Sequence, residues 1–303
     1  MRTVGLALEP GEKPPSGIRR VICERVDEAL GCVTAHGSRG RGERVHTARK
    51  RFKEVRAALR LARRAIGDGV YRRENRTYRD AARPLSAVRD AAVLVDALDG
   101  LVEHFREELA TDPFATVRRA LRDRRRDLTR RILVEENAFR TITDTIRRAR
   151  RRIRRWRLDD LDLRALVDGF AVAYRSGRRA MRAALDGQSD ACLHEWRKQA
   201  KYMRNQAKIL TSVWPEMMTL LADQGHEVTD LLGDDHDLAV LADIVHEDLK
   251  DAVDRHERHA LRGLIADRRR TLQKHALALG GRLYAEKPKA FDRRMRRYLH
   301  PGL

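Results

Sequence analysis

Cations at helical spacing mark two stretches of this 303-residue sequence. In HTARKRFKEVRAALRLARR, His46, Arg49, Lys50, Lys53, Arg56 and Arg60 share an arc of about 120° when each residue turns the helix by about 100°, and Arg64 returns to the bearing of His46. Ala48, Phe52, Val55, Leu59, Ala62 and Ile66 fill the opposite arc. In HEWRKQAKYMRNQAKIL the arrangement recurs, with His194, Arg197, Lys198, Lys201, Arg204 and Lys208 opposite Trp196, Ala200, Met203, Ala207 and Leu210. The polar positions match one for one, 148 residues apart. Like charges four apart on an isolated helix repel by roughly 0.2–0.5 kcal/mol per pair, so stability gives no reason to build the stripe twice. An anionic partner does. At about 1.5 Å per residue each stripe is a rail of about 20 Å, along which arginine forks grip anionic oxygens bidentately and lysines add point charge in many registers.

The elements that position these rails read as helices throughout. A flexible arm over residues 1–16, rich in Pro and Gly, precedes an amphipathic helix from Ile18 to about Val33, with Ser16 as its cap. Gly37, Gly40 and Gly42 form the turn before the first stripe. Pro84 is expected to end or kink a helix because it lacks an N–H. Asp112-Pro113 reads as a helix start, and Asp159, Asp160 and Asp162 mark a boundary. The first helical half is then 17–157 and the second, with its basic tail, 158–303, each long enough for its own core. PLSAVRDAAVLVDAL finds its counterpart in LLGDDHDLAVLADIV at an offset of 147, so the likeness between halves spans two helices. With no alternating strand pattern, the fold class is all-α: two helical bundles side by side.

Other groups have competing readings. Asp90 and Asp237 occupy matching positions beside the stripes, where each orients a cation or sits as a helix-terminal acid favoured by the dipole. Asp234-Asp235-His236-Asp237 reads as a cap of the following helix rather than a metal site. His46 and His194 each have three roles open: metal ligand, structural hydrogen-bonding group, or phosphate donor charging near an unperturbed pKa of about 6.5. Arg and Lys on the neighbouring face repel a cation, and HExxH and cysteine clusters are missing. No metal and no cofactor are expected. Arg175, Arg178, Arg179 and Arg182 share a face and are expected to line the binding surface from an adjacent helix. The runs Arg118–Arg131 and Arg147–Arg157 read as solvated surface.

A net charge of +20 and a pI near 10.7 attract polyanions: nucleic acid, inorganic polyphosphate, anionic lipid or acidic protein. Aromatic residues make up 5% of the chain and the cation arcs carry none, which weighs against sequence-specific RNA recognition by base stacking. Cys23, Cys32 and Cys192 lack CxxC spacing and suit a reducing cytosol as small core fillers. No leader and no membrane span is read, so a cytoplasmic location is expected. No P-loop, GxSxG or paired-carboxylate motif is present, and no catalytic residue is assigned.

The pattern H-x-x-R-K-x-x-K-x-x-R near the start of each half, followed by an L-x-x-x-R/H-D helix (Leu85, Arg89, Asp90; Leu232, His236, Asp237), resembles the CHAD domain, the conserved histidine α-helical domain. The resemblance runs from about Ile18 to YAEKPKAFDRRMRRYL. It implies one CHAD domain of two pseudo-symmetric antiparallel helical bundles enclosing a basic central groove, non-catalytic binding of inorganic polyphosphate, and placement at polyphosphate granules. Ser86-Ala87-Val88-Arg89 against Gly233-Asp234-Asp235-His236 implies unequal use of the two halves. Two rival functions remain: non-specific nucleic-acid binding, and metal-dependent processing of polyphosphate.

Overall fold

A computed structural model describes residues 5–35, 37, 40–109, 113–187 and 189–299. Every regular element among them is helical, as the periodicity predicts: α1 (Pro14–Thr34), α2 (Arg41–Leu61), α3 (Arg63–Ile66), α4 (Asp68–His104), α5 (Ala115–Arg130), α6 (Ala138–Ile153), α7 (Leu163–Gly187), α8 (Asp190–Ile209), α9 (Pro215–Glu247), α10 (Arg255–Leu283) and α11 (Pro288–Arg297). A π-turn, Arg131–Glu135, follows α5, and Asn137 in the left-handed region (φ 48°) turns the chain into α6.

Local chemistry explains three of the helix starts. Pro14 and Pro215 stand in the first turns of α1 and α9, where a missing N–H costs nothing. Ser189 caps α8, its hydroxyl accepting from the Cys192 N–H at 3.3 Å. Ser16 lies inside α1 rather than capping it, because Pro14 starts the helix earlier, after Lys13. Asp112 falls outside the described residues, and α5 begins at Ala115 after Phe114.

Pro84 does not break its helix. Its ring forfeits one backbone bond, but Tyr78, Ala81, Leu85 and Val88 are buried on both sides of it, and packing carries α4 on for 37 residues. The Ser86 hydroxyl donates to the Ala82 carbonyl at 3.0 Å, one turn back on the same helix. The described part of the expected arm is likewise anchored. Leu8 is buried, its N–H donates to Ile209 O at 2.9 Å, and Glu12 pairs with Arg20 at 2.7 Å.

The apolar interior does not divide between residues 17–157 and 158–303. One core joins α1, α2, α6, α7, α8, α11 and the C-terminal part of α10 (Ala276, Leu283) to the N-terminal parts of α4 (Tyr71 to Val88) and α9 (Met218 to Leu232). A second joins α5 and α10 to the C-terminal parts of α4 (Leu94 to Leu101) and α9 (Leu238 to Val245). The long helices α4 and α9 pack on each other and thread both cores. Arg89 and Asp90 on α4, and Gly233 to Asp237 on α9, fall in the interval between the two. A polar layer is therefore set where the L-x-x-x-R/H-D segments lie, with α2 and α8 packed alongside.

Candidate functional site

The two stripes meet because α2 packs on α8. Gln206 Nε2 donates to the Ala57 carbonyl at 3.2 Å inside the contact. Arg56 donates through Nε to Asn75 Oδ1 (3.0 Å) and through Nη2 to the Tyr202 hydroxyl (2.9 Å). Arg60 lays its guanidinium over the Tyr202 ring, 4.2 Å from the centroid, an attraction worth on the order of 1 kcal/mol. Arg56 and Arg60 thus belong partly to the joint itself.

On the α9 side, Arg197 lies against Gly233, where an added Cβ would stand 3.1 Å from Arg197 Nη2. Among the described residues Arg197 has no hydrogen-bond or ion-pair partner in the protein, and its Nε is buried without an acceptor. Arg204 crosses Gly225 and donates to Thr229 Oγ1 at 3.1 Å. Arg49 is held by Asp90 at 3.2 Å. Asp90 thus orients a cation from the middle of α4 and is not a helix-terminal acid.

These cations act on one another. Burial, then repulsion from Arg197, Lys53 and Arg204, pushes the Lys201 ammonium down to about 6; Asp237 opposes the shift. Lys53 is pushed down to about 8 by burial and by Arg49, Arg197 and Arg204, with Asp90 opposing. Lys53 is open to water by surface area, yet protein flanks it closely. Water at such a group screens its neighbours, so the direction of its shift carries the argument. Lys208 is lowered in the same way. Burial and adjacent cations also lower His46 and His194 below the ordinary imidazole range. In the anion-free protein both are therefore mainly neutral near pH 7. His194 stands 4.8 Å from His236, centroid to centroid.

The remaining candidates divide. Lys50 is exposed on α2, whereas Lys198 is paired along its own helix with Glu195. Arg178 donates to the Tyr284 carbonyl (3.0 Å) at the end of α10, and Arg175, Arg179 and Arg182 are exposed on α7. Among the described residues no hydrogen bond or ion pair joins these four to the stripes, although α7 itself packs on α8. Asp234 to Asp237 lie in the interior of α9, so they cap nothing. Asp235 is buried and accepts from Arg269 Nε (2.9 Å) and Gln273 Nε2 (2.7 Å). Burial raises Asp237, and Asp234 rises for the same reason. Both line a cavity of about 320 Å³ beside the polar layer, with Arg89, Arg268, Leu238 and Leu272. The cysteines are free and half-buried at the margin of the core.

Arg89, His236 and Tyr202 enter the site without having been assigned to it. The first two stand in the L-x-x-x-R/H-D segments themselves, so a signal existed. Tyr202 gave none, since its role depends on which helix α8 meets. Among the described residues, no three His, Cys, Asp or Glu side chains converge as a metal-binding group, and no helix is long and apolar enough to cross a membrane. Chemically, the crossing offers guanidinium and ammonium donors with few acids to satisfy them.

Comparison with known proteins bears on the family. None of the curated proteins matches the chain. Among solved structures, the crystal structure of the CHAD domain from the plant Ricinus communis is similar at 15% identity, with a TM-score of 0.49, over 99% of this chain and 96% of that one. The family model for the CHAD domain matches residues 24–246, well over half of the sequence, and the chain belongs to the CHAD domain family.

Proposed function

We propose that this protein binds inorganic polyphosphate, without turning it over, in a basic groove walled by α2 and α8. The observation that carries the reading is Arg197. It is ordered against Gly233 and repels Lys53 and Lys201, yet has no acceptor of its own. A chain of phosphates supplies what the site lacks: a row of anionic oxygens with no base or side group to accommodate. Lys53, Lys201, Arg49, Arg197 and Arg204 form its centre, and His46, His194 and Lys208 extend it. Arg56 and Arg60 contribute charge while holding the joint. Asp90 and Asp237 keep the cations spaced. In the cell this role places the protein in the cytoplasm, at polyphosphate granules.

The test is fluorescence polarisation with labelled long-chain polyphosphate against a salt series. If each contact releases about 0.7 counterion, ten contacts give a log–log slope of about −7, and a flat response rejects the mechanism. Duplex DNA added at equal charge concentration should compete poorly, because its phosphates are carried on a stiff, wide duplex that cannot follow a groove between two helices as a flexible phosphate chain can; efficient displacement favours nucleic acid. Incubation with polyphosphate and Mg²⁺ should release no orthophosphate, and sustained release makes the protein an enzyme.

A further inference from the structure

At the end of α6 and in the turn after it, Arg147, Arg148, Arg151, Arg154, Arg155 and Arg157 are all exposed. Among the described residues none of the six forms an ion pair, and their one side-chain hydrogen bond is a long contact from Arg148 to Thr145 Oγ1 (3.5 Å). Their neighbours are used differently. Arg150 forks onto Asp27 at 2.8 and 2.9 Å, and Arg152 forks onto the buried Glu74 at 2.8 Å through each nitrogen. On α5 and the π-turn, Arg124, Arg126, Arg130 and Arg131 pair with Asp248, Asp123, Glu135 and Glu136. Arg118 pairs with Asp99 as well, so the α5 run is largely balanced, with Arg119, Arg122 and Arg125 left exposed and without an ion pair among the described residues; on α6 and its turn every exposed arginine is so.

The ordinary reason for cations at the end of a helix is the negative pole of its dipole and its unpaired carbonyls. That role is already filled. Arg19 of α1 donates to the carbonyls of Ile153 (3.0 Å), Arg154 (2.8 Å) and Trp156 (3.0 Å). Within α6, Arg147, Arg148 and Arg151 lie within an arc of about 100°, opposite the buried Ile142, Ile146, Ala149 and Ile153. Asp144, the one acid of α6, pairs with none of them. Residues 147 to 155 cover about 12 Å at helical rise, enough for several consecutive phosphates. Trp156 is buried, so the surface offers guanidinium forks without a ring on which a base could stack. Both α1 and α4 pack against α2 and also against α6. Accordingly α6 lies across that pair from the α2 stripe.

We propose that this arginine surface is a second polyphosphate-binding site, so that one molecule bridges two polyphosphate chains. The bridge rests on the reading of the α2–α8 site for its other end; the arginine surface stands or falls by itself.

Titration calorimetry of the intact protein with a short polyphosphate at low salt separates the two. The parent should take up two chains per molecule, and R147Q/R148Q/R151Q/R154Q/R155Q and K53E/K201E one each. With a mixture of donor-labelled and acceptor-labelled long chains, the parent should produce energy transfer that falls about tenfold in either variant, as expected when one of two linked contacts is lost. Two chains bound by the arginine variant, or undiminished energy transfer, overturns the proposal. A single site in the parent that K53E/K201E removes also overturns it and leaves the α2–α8 reading standing. A single site that only the arginine variant removes sinks that reading and the bridge together. Duplex DNA that displaces polyphosphate from the K53E/K201E protein at equal charge concentration reassigns the surface to nucleic acid. Circular dichroism guards against misfolding, and the matching Arg→Lys variant, which keeps the charge, should retain two sites.

Discussion

Lys53 of α2 is one of the cations that hold the Lys201 amine of α8 down to about 6, although their stripes are 148 residues apart in sequence. The helices are locked in this relation by the Gln206 bond to Ala57 and by Arg56 on Tyr202, so the repulsion cannot relax by sliding. A fold that fixes ammonium groups against guanidiniums is spending stability on readiness for an anion. The consequences are measurable.

Polyphosphate binding should take up protons. Before binding, Lys201 is mostly neutral at pH 7, whereas Lys53, lowered less, is mostly charged there. An anionic chain beside them restores the charged form and raises both toward the ordinary lysine value of about 10.4. The affinity these amines contribute is complete below their free values and is lost as pH rises through the bound values. It should therefore weaken steadily from about pH 6 to about 10. Calorimetry in two buffers of different ionisation enthalpy should detect net uptake, and K201R, always charged, should remove most of it. In the free protein the sign for folding is the reverse. Folding lowers both lysines, so their repulsion costs most below the folded values and is relieved as pH rises toward the unfolded ones. Equal heats in both buffers at pH 7.5 would sink the prediction.

Reversing both charges, K53E/K201E, should weaken binding at the α2–α8 site by more than about tenfold, since two central attractions become repulsions. The fold should not suffer. Each glutamate gains Arg197 and Arg204 as neighbours in place of a like charge. The melting temperature should hold or rise, and cooperative loss of structure in a thermal melt would mean that the stripes are structural.

The stripes were legible because a helix must repeat every 3.6 residues, and a buried back of Ala48, Phe52 and Val55 leaves only one face for the cations. Which cations remain free was not legible. Arg60 is spent on Tyr202 and Lys198 on Glu195, partnerships set by tertiary packing or by the choice of one rotamer. A helix end at Pro84, one of the two outcomes expected there, and a helix start after Asp234 to Asp237 fail for a shared reason. Local preference marks helix ends at such residues, but burial along α4 and α9 carried both helices through them. The same two helices thread both cores, which a boundary drawn from composition at Asp159 could not reveal.

Two glycines of α9 should respond differently to alanine. At Gly233 the new Cβ meets the tip of Arg197 (Nη2 at 3.1 Å), which can swing away. Gly233→Ala should then stabilise the helix by about 0.5–1 kcal/mol while displacing Arg197, with affinity falling severalfold. At Gly225 the Cβ meets Arg204 Cβ at 3.2 Å and Met203 Cε at 3.4 Å, with Arg204 Cα close behind. The main chain of α8 stands behind this contact, and overpacking of about 1–3 kcal/mol outweighs the helix gain. Gly225→Ala should lower the melting temperature. Chemical denaturation and polarisation on the same preparations separate the two, and equal behaviour would refute the assignment of Arg197 to binding.

Asp235 provides the sharpest contrast with its neighbours. It has 2% exposure and holds Arg269 and Gln273 of α10 at 2.9 and 2.7 Å, while Asp234 and Asp237 face the cavity beside the polar layer. Asp235→Ala removes the acceptor and leaves Arg269 with Asp190, near the surface. Loss of one partner of a buried charged pair costs about 3–5 kcal/mol; Arg269 keeps a partner and some water, so about 2–3 kcal/mol is expected in a denaturant titration. Polyphosphate affinity, measured well below the melting temperature, should stay within about twofold, since Asp235 touches no stripe cation. Asp237→Ala should do the opposite. It leaves the α9–α10 joint intact and removes the acid that raises Lys201, so the free Lys201 value should fall further and the proton uptake on binding should grow at about pH 6, where the parent amine is still partly charged.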